Sequence, residues 1–486
     1  MAGVGTLRRW LTLATGLVEC LCFALYGWPA LVFVLKTEGY FGSPGCVDTP
    51  GANATQVQGH AQEWFSLVFA VASNLSNVLL LPTGFLLDRF GTAVARLMAT
   101  FLFTTGNLMV AFSTPGDRTF QLFAFSFIGL GGLMFLMTNM QVGNLFSSHQ
   151  TTVTTLYNGA FNSCPLFLVI KLLHEAGISL CTSFLFLATS SFTSSLLRTF
   201  FLMPRDHIPY PLPDDYTYGY ELPIKPCTRH TPNRTIAHPI SRYLCPFLLL
   251  YTLLSSGLSE KSFSECLISK FYVSQLIWLS VIQLRQLFFV GTLQPMLQRL
   301  AGGQQSLVSH YTNVFAVTQL CGMLCAPWNG LIMDRLKGKP RESEQEADLR
   351  ALVLSLSLTV LQCALFSVCA AIPNLRLQYL TFVLYMINFA FLYGGNATFI
   401  LVTFPLCHFG KLYGLCISLS SVICLLIDTC LSLLNGAILY VNICLTLLVL
   451  LAFINPLVVH LHCRGLASQR AASAAIGASS SLSLPH

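Results

Sequence analysis

Charged and amide side chains inside long apolar stretches are the residues of this chain best suited to chemistry. Glu19, Arg285 and Asp428 stand within runs of apolar residues long enough to cross a membrane. A charge is costly in hydrocarbon, so such a residue usually meets a partner or a water-filled path. Amides accompany these charges, and because an amide both donates and accepts hydrogen bonds, it suits a heterocyclic solute. The residue types therefore predict binding of a polar small molecule.

The apolar runs place these side chains in a predictable way. Glu19 lies in the first run and Arg285 in the seventh, two helices that correspond in a six-plus-six architecture and border its central cavity. They could form a buried ion pair with each other, and one or both could contact substrate; the two roles do not exclude each other. For any one amide, a hydrogen bond between helices is the alternative to substrate contact. The candidate substrate-binding residues are Glu19, Asn139, Gln141, Asn158, Gln283, Arg285 and Asn388. Further amides predicted in helices that meet the cavity are Asn144, Asn162, Asn313, Gln319 and Asn396.

The composition is that of a polytopic membrane protein. Of the 486 residues, 54% are hydrophobic and 9% are charged, against roughly 25% charged residues in soluble domains. Windows of about 20 residues, the length that spans a bilayer, predict an all-α fold of twelve transmembrane helices. The predicted helices are 10–35, 64–87, 93–113, 119–142, 152–173, 178–202, 273–295, 308–333, 349–372, 376–400, 410–433 and 437–460.

The basic residues orient these helices. Most of the 26 Lys and Arg fall on one side when both termini are placed in the cytosol, as cytoplasmic loops retain positive charge. The net charge of +7 is thereby explained by topology, and nucleic-acid binding is not expected. The loop at about 36–63 is then extracellular, and Asn53-Ala-Thr55 within it is the predicted glycosylation site.

A repeated motif ends two of the helices. Gly84-Phe-Leu-Leu-Asp88-Arg89 recurs as Gly330-Leu-Ile-Met-Asp334-Arg335, each time after a proline. Small residues allow close helix packing, and charges follow where the helix meets water. A repeat at half the chain length is typical of a transporter built from two related bundles. The predicted gating residues are Gly84, Asp88, Arg89, Gly330, Asp334 and Arg335.

Four parts of the chain follow from this organisation. Residues 1–202 form a six-helix bundle, 203–272 a cytosolic linker, 273–462 a second six-helix bundle, and 463–486 a disordered cytosolic tail. The linker begins with a proline-rich segment at 203–213, here called the strap. Because prolines lack amide donors and favour extended chain, the strap is predicted to be extended and not helical. Its apolar stretch at 243–258 is too short for a span, so an interfacial or poorly ordered segment is predicted.

Several longer passages resemble solute carrier family 43 of the major facilitator superfamily over nearly the whole chain. The passages are Tyr-Gly-Trp-Pro-Ala-Leu-Val-Phe-Val at 26–34, Thr-Asn-Met-Gln-Val-Gly-Asn-Leu-Phe at 138–146, Thr-Leu-Tyr-Asn-Gly-Ala-Phe at 155–161, the strap at 203–213, Trp-Leu-Ser-Val-Ile-Gln-Leu at 278–284, Ala-Pro-Trp-Asn-Gly-Leu-Ile-Met-Asp-Arg at 326–335 and His-Phe-Gly-Lys-Leu-Tyr-Gly at 408–414. The closest likeness is to the branch that carries nucleobases.

The resemblance implies a plasma-membrane uniporter, neither an enzyme nor a binder of metal or cofactor, that moves purine nucleobases without sodium. At its cytosolic gate, Asp88 and Arg89, with Asp334 and Arg335, would form charge contacts between helices. Two alternatives remain open, because Gln283-Leu284-Arg285 is more similar to the amino-acid branch. These are a large neutral amino-acid uniporter, whose substrate carboxylate Arg285 would bind, and a transport-inactive membrane partner protein.

Overall fold

The computed structural model consists of helices and their connections throughout the part of the chain that it describes. That part comprises residues 2–23, 28–40, 54–116, 118–146, 149–163, 166–209, 212, 262–302, 304–336, 344–432 and 438–481. The first-half helices are α1 (Ala2–Cys22), α2 (Trp28–Thr37), α3 (Ala54–Ala111), α4 (Arg118–Met140), α5 (Gln150–Asn162), α6 (Leu166–Glu175) and α7 (Leu180–Leu197). The second-half helices are α8 (Phe263–Ile268), α9 (Lys270–Leu300), α10 (Gln305–Leu320), α11 (Gly322–Leu336), α12 (Glu344–Ala371), α13 (Gln378–Thr403), α14 (Phe409–Ser432), α15 (Ile438–Val449) and α16 (Ile454–Ser481).

The long helix α3 contains two predicted spans. Gly91 interrupts it with φ 82° and ψ 179°, a conformation of positive φ that residues with a Cβ atom rarely adopt. The chain turns there, so the predicted break between 87 and 93 is confirmed. A side chain at Gly91 would also meet the carbonyl oxygen of Arg205 at 2.9 Å, because the strap after α7 packs against this turn.

Among the described residues, nine helical stretches are long and apolar enough to cross a membrane, or ten when α10 and α11 are taken as one span bent by 42°. That number counts Val71–Ala111 once although it turns at Gly91. It also leaves out α1 and α2, which overlap the first predicted span. With α3 counted as two crossings and α1 with α2 as one, the described helices are compatible with the twelve crossings that the sequence predicts.

One predicted span is bent within its described length. This is the eighth, which bends at Cys321 between α10 and α11. Breaks at membrane depth are tolerated where the freed backbone groups face protein or a cavity, and Gln319, two residues before this bend, lines the cavity described below.

The predicted tail is wrong in its secondary structure. Helix α16 continues to Ser481, whereas the sequence led us to expect disorder from 463. Five of the ten residues Ala471–Ser480 are alanine, the strongest helix former, and this composition explains why the helix continues. The seventh span also begins earlier than predicted, at Lys270, with Ser269 accepting a hydrogen bond from the Tyr272 amide at 3.2 Å as its cap.

Two helix pairs join the halves at the end of the bundle that carries Asp88 and Asp334, here called the motif end. Helix α3 packs along α14, and α5 packs along α11. The glycosylation candidate Asn53, the apolar stretch 243–258 and most of the linker lie outside the described residues.

Candidate functional site

A cavity lies between the two halves, beyond the contacts of the motif end. It holds about 1320 Å³ of empty space, its solvent-open mouth included. Helices α3, α4 and α5 line it from one half, and α9, α10, α13 and α14 from the other. Leu80 and Tyr413 belong to its lining, and Leu80 stands eight residues before Asp88, or roughly 12 Å along a helix. A solute here would touch both halves at once.

Two of the candidate substrate-binding residues line this cavity. They are Asn158 of α5 and Gln283 of α9. The Asn158 amide donates to the Thr154 carbonyl at 3.0 Å, and Gln283 accepts from Ser420 at 2.7 Å. Asn162 and Gln319, which the sequence placed near the cavity, also line it. The sequence reasoning missed Asn74 and Asn77 of α3, although both follow the same pattern of an amide in an apolar span.

Aromatic rings form much of the opposite wall. Tyr385 and Phe389 are stacked with ring centroids 5.8 Å apart and planes at 23°. Phe389 also meets Tyr393 edge to face at 5.0 Å, and all three line the cavity. Rings of this kind offer flat faces on which a planar ligand can stack.

The lining is uncharged. Among the described residues, its polar members are serines, asparagines, glutamines and tyrosines, with no Asp, Glu, Lys, Arg or His. A cavity with amides and aromatic faces can hydrogen-bond and stack a neutral heterocycle. It offers no counter-charge to a carboxylate or an ammonium group.

Glu19 lies in a buried ion cluster of the first half, so the predicted pair with Arg285 is wrong. Its carboxylate accepts from Arg96 at 2.5 Å and from Arg198, and Asn139 donates to it at 2.9 Å. Ser195 donates to it as well, at 3.2 Å. The cluster joins α1, α3, α4 and α7 with two guanidinium groups and one carboxylate, all at most 4% exposed.

The topology predicts Arg96 and Arg198 at the cytosolic face, since they stand near the ends of the predicted helices 93–113 and 178–202. The structure buries both, and Arg198 begins a π-helical turn, Arg198–Leu202, that ends α7. A charged residue near the end of a membrane helix is expected to face water, but a side chain as long as that of arginine can fold back into the bundle. Nothing in residue spacing distinguishes these arginines from Arg89, which is exposed.

Arg285 and Asn388 belong to the packing of the second half. Arg285 donates to the Ser367 hydroxyl at 2.9 Å and lies over the Phe366 ring at 5.1 Å. Asn388 accepts from Gln286 and donates to the Thr359 carbonyl, both at 2.7 Å. Neither residue is in the cavity lining, so their described contacts are bonds between helices.

At the motif end, Asp88 ties α3 to the start of α14. Its carboxylate accepts from the backbone amides of Gly410 and Lys411, both at 2.8 Å. Carboxylates are favoured at helix N-termini, where backbone amides lack partners. We expected charged side chains as partners. The structure provides backbone amides instead, and Arg89 is exposed.

The second copy of the motif makes the related contact between α11 and α5. Asp334 accepts from the Thr152 amide at 2.9 Å and from its hydroxyl at 2.6 Å, and the Thr151 hydroxyl donates to it too. Thr151 and Thr152 stand in the first turn of α5. Arg335, like Arg89, is exposed. Both copies of the motif therefore close one half against a helix start of the other.

Glycines allow this closure. A Cβ atom at Gly84 would overlap the Gly410 carbonyl, and one at Gly330 would overlap the backbone of Thr152. A Cβ at Gly414 would approach the Leu80 carbonyl oxygen to 2.5 Å. The backbones are in direct contact at these positions, which is how small residues serve helix packing in membranes.

Gln141 supports the strap and is not in the cavity lining. Its side-chain oxygen accepts from Thr92 at 3.2 Å and lies 3.4 Å from His207 Nδ1. The strap is held further by the Ala93 amide, which donates to the Arg205 carbonyl at 3.0 Å. Burial lowers the pKa of His207, so the imidazole docks in its neutral form.

Two halves with a cavity between them and a motif repeated in each half are typical of a transporter fold. A comparison with known protein families supports this assignment. The profile of the Major Facilitator Superfamily matches residues 20–427. The chain belongs to this superfamily. The predicted fold class is confirmed, and the protein is a membrane transporter, not an enzyme.

Similar proteins narrow the family. The chain is 43% identical to Equilibrative nucleobase transporter 1 of Bos taurus, over 94% of this chain and 97% of that one. It is 26% identical to Large neutral amino acids transporter small subunit 3 of Homo sapiens, over 86% of each chain. Within the superfamily the chain belongs to solute carrier family 43, as the sequence indicated.

A solved structure supports the fold alone. It is the crystal structure of a bacterial homologue of the iron transporter ferroportin in an outward-facing state. The two folds superpose with a TM-score of 0.51, over 95% of this chain and 99% of that one, at 13% sequence identity.

Proposed function

We propose that the protein is a sodium-independent uniporter of purine nucleobases such as adenine, guanine and hypoxanthine in the plasma membrane. Support comes from its 43% identity to a nucleobase transporter and from the chemistry of its cavity. The single observation that carries the proposal is the uncharged lining of amides and aromatic rings. A purine is flat, neutral and rich in hydrogen-bonding edges, so it matches this lining.

The same lining argues against the amino-acid alternative. A zwitterion would bring two charges into a site without counter-charges, and the desolvation of each ion costs several kcal/mol. Arg285, the residue expected to bind a carboxylate, donates to Ser367 outside the cavity. Of the seven candidate substrate-binding residues, Asn158 and Gln283 are the ones that we propose to contact substrate.

Transport would proceed by alternating access, as in other transporters of this architecture. The contacts of Asp88 and Asp334 close the motif end, which the topology assigns to the cytosol. When they break, the halves rock apart and the cavity opens to that side. The substrate gradient alone sets the direction of net flow. In the same topology both termini are cytosolic, and Asn53 carries an N-glycan.

Paired uptake tests the substrate assignment. Cells expressing the protein are expected to take up labelled adenine saturably, equally in sodium and choline buffers, and to take up labelled leucine no faster than control cells. Uptake is measured at initial rates beside cells that express the motif variant Asp88→Ala at the same surface level. Leucine uptake that adenine does not inhibit would replace the proposal with the amino-acid carrier, and uptake of neither would favour an inactive partner protein.

A further inference from the structure

Asn162 presents a hydrogen-bond donor that no protein acceptor uses in the part of the chain that the structure describes. It is the last residue of α5 and is 7% exposed, and its amide nitrogen is buried without a partner there. The side chain lines the cavity. A buried donor without an acceptor costs about 1 to 3 kcal/mol, so a ligand that supplies the acceptor would be favoured.

Asn158 supplies the complementary group one turn earlier. Its amide nitrogen donates to the Thr154 carbonyl at 3.0 Å, so its carbonyl oxygen is the group that it can offer to a ligand. Residues four apart on a helix have Cβ atoms roughly 5 to 6 Å from each other. The cavity face of α5 therefore offers an acceptor and a donor side by side.

An adenine edge has the matching pattern. Its 6-amino group donates, and a ring nitrogen beside that group, N1 or N7, accepts; amide side chains read adenine in this way. We infer that Asn158 and Asn162 determine base specificity, with the Asn158 oxygen accepting from the 6-amino group and the Asn162 nitrogen donating to the adjacent ring nitrogen. This inference rests on the proposed function and adds to it the two side chains that read the edge of the base.

Hypoxanthine can meet this pair along one edge only. Its N7 edge presents two acceptors, O6 and N7, and one of them would face the Asn158 oxygen. Its other edge carries the N1–H donor beside O6, so that edge would fit only with the base turned over. Adenine fits through the ring nitrogen on either side of its 6-amino group.

The aromatic wall has a different part in recognition. Tyr385 and Phe389 lie on α13 in the other half, and stacking on such rings is tolerant of base identity because every base has a π face. One half reads the edge of the base and the other holds its plane. A bound base would thus connect the two halves.

The test compares Asn162→Leu with the wild type on adenine, 1-deazaadenine and 7-deazaadenine. Leucine keeps the size of asparagine and removes the donor. The variant is expected to raise the half-saturation concentration for adenine roughly 3- to 10-fold, the value of one hydrogen bond, and to leave one deaza analogue unchanged, namely the one that lacks the contacted nitrogen. Asn313→Leu is the matched control, since Asn313 is exposed and outside the lining.

Two further measurements keep the test decisive. Phe389→Ala should weaken adenine, hypoxanthine and both analogues by similar factors, because stacking does not read the edge. The wild type alone should bind one deaza analogue roughly 3- to 10-fold more weakly than adenine, whether or not Asn162→Leu reaches the membrane.

Three results would overturn the inference. Unchanged adenine kinetics in Asn162→Leu would refute the donor role and leave the proposed function intact, as would equal weakening of adenine and both deaza analogues. A wild-type protein that transports no adenine would refute the proposed function, and this inference with it.

Discussion

Gly84→Ala is expected to lower the maximal rate of adenine uptake at least fivefold, while Gly291→Ala leaves it unchanged. A methyl group at Gly84 would overlap the Gly410 carbonyl, whereas one at Gly291 would meet no atom within 4 Å. The obstacle at Gly84 is backbone, so α3 and α14 must separate. Overpacking of this kind costs about 1 to 3 kcal/mol, which is roughly 5- to 150-fold in the population of the closed motif end.

Initial rates of uptake, divided by the amount of protein at the cell surface, measure this effect. Gly330→Ala should behave in the same way, because its methyl group would overlap the backbone of Thr152 in the related contact. Uptake at the wild-type rate by Gly84→Ala, with normal surface amounts, would contradict a gate closed by direct backbone contact.

Glu19→Gln is expected to destabilise the protein by about 3 to 5 kcal/mol, the usual cost of removing one partner from a buried ion pair. Arg96 and Arg198 would then stand together in the first half without their carboxylate. The purified variant should unfold at a clearly lower temperature than the wild type and reach the cell surface in smaller amounts.

The double variant Glu19→Gln/Arg96→Gln separates this structural role from substrate binding. Removing one arginine together with the carboxylate lowers the excess of buried charge, so thermal stability should recover in part, and with it the uptake of adenine. If the single variant instead kept its stability and lost only affinity for adenine, Glu19 would be a substrate contact and the cluster would have been misread.

Helices and motif were predictable because their signals are local. An apolar run long enough to cross a membrane has few possible structures other than a transmembrane helix. The turn with positive φ at Gly91 falls where the apolar sequence is interrupted, between Arg89 and Arg96. The repeat of glycine and aspartate also pointed correctly to the two places where the halves meet. That Asp88 would accept from backbone amides was not predictable, because the helix start at Gly410 is brought to it only by the fold.

Side-chain partners within the membrane were harder to predict. Opposite charges at similar depth predict a pair between Glu19 and Arg285, but each has its partners in its own half of the protein. The depth of a residue along a helix can be counted from sequence, but the direction in which it faces depends on helix rotation. Asn162 shows the same limit, because its amide nitrogen has no acceptor among the described residues. The spacing of residues could not distinguish it from Asn388, whose side chain both accepts and donates a hydrogen bond.

Purified protein in liposomes gives the most direct test of an equilibrative purine transporter. Labelled adenine should enter until its internal concentration equals the external one, at the same rate with or without a sodium gradient and without ATP, and unlabelled adenine added outside should then drive labelled adenine out. Accumulation of adenine several-fold above the external concentration when a sodium or proton gradient is imposed, or entry of leucine with exclusion of adenine, would contradict the account.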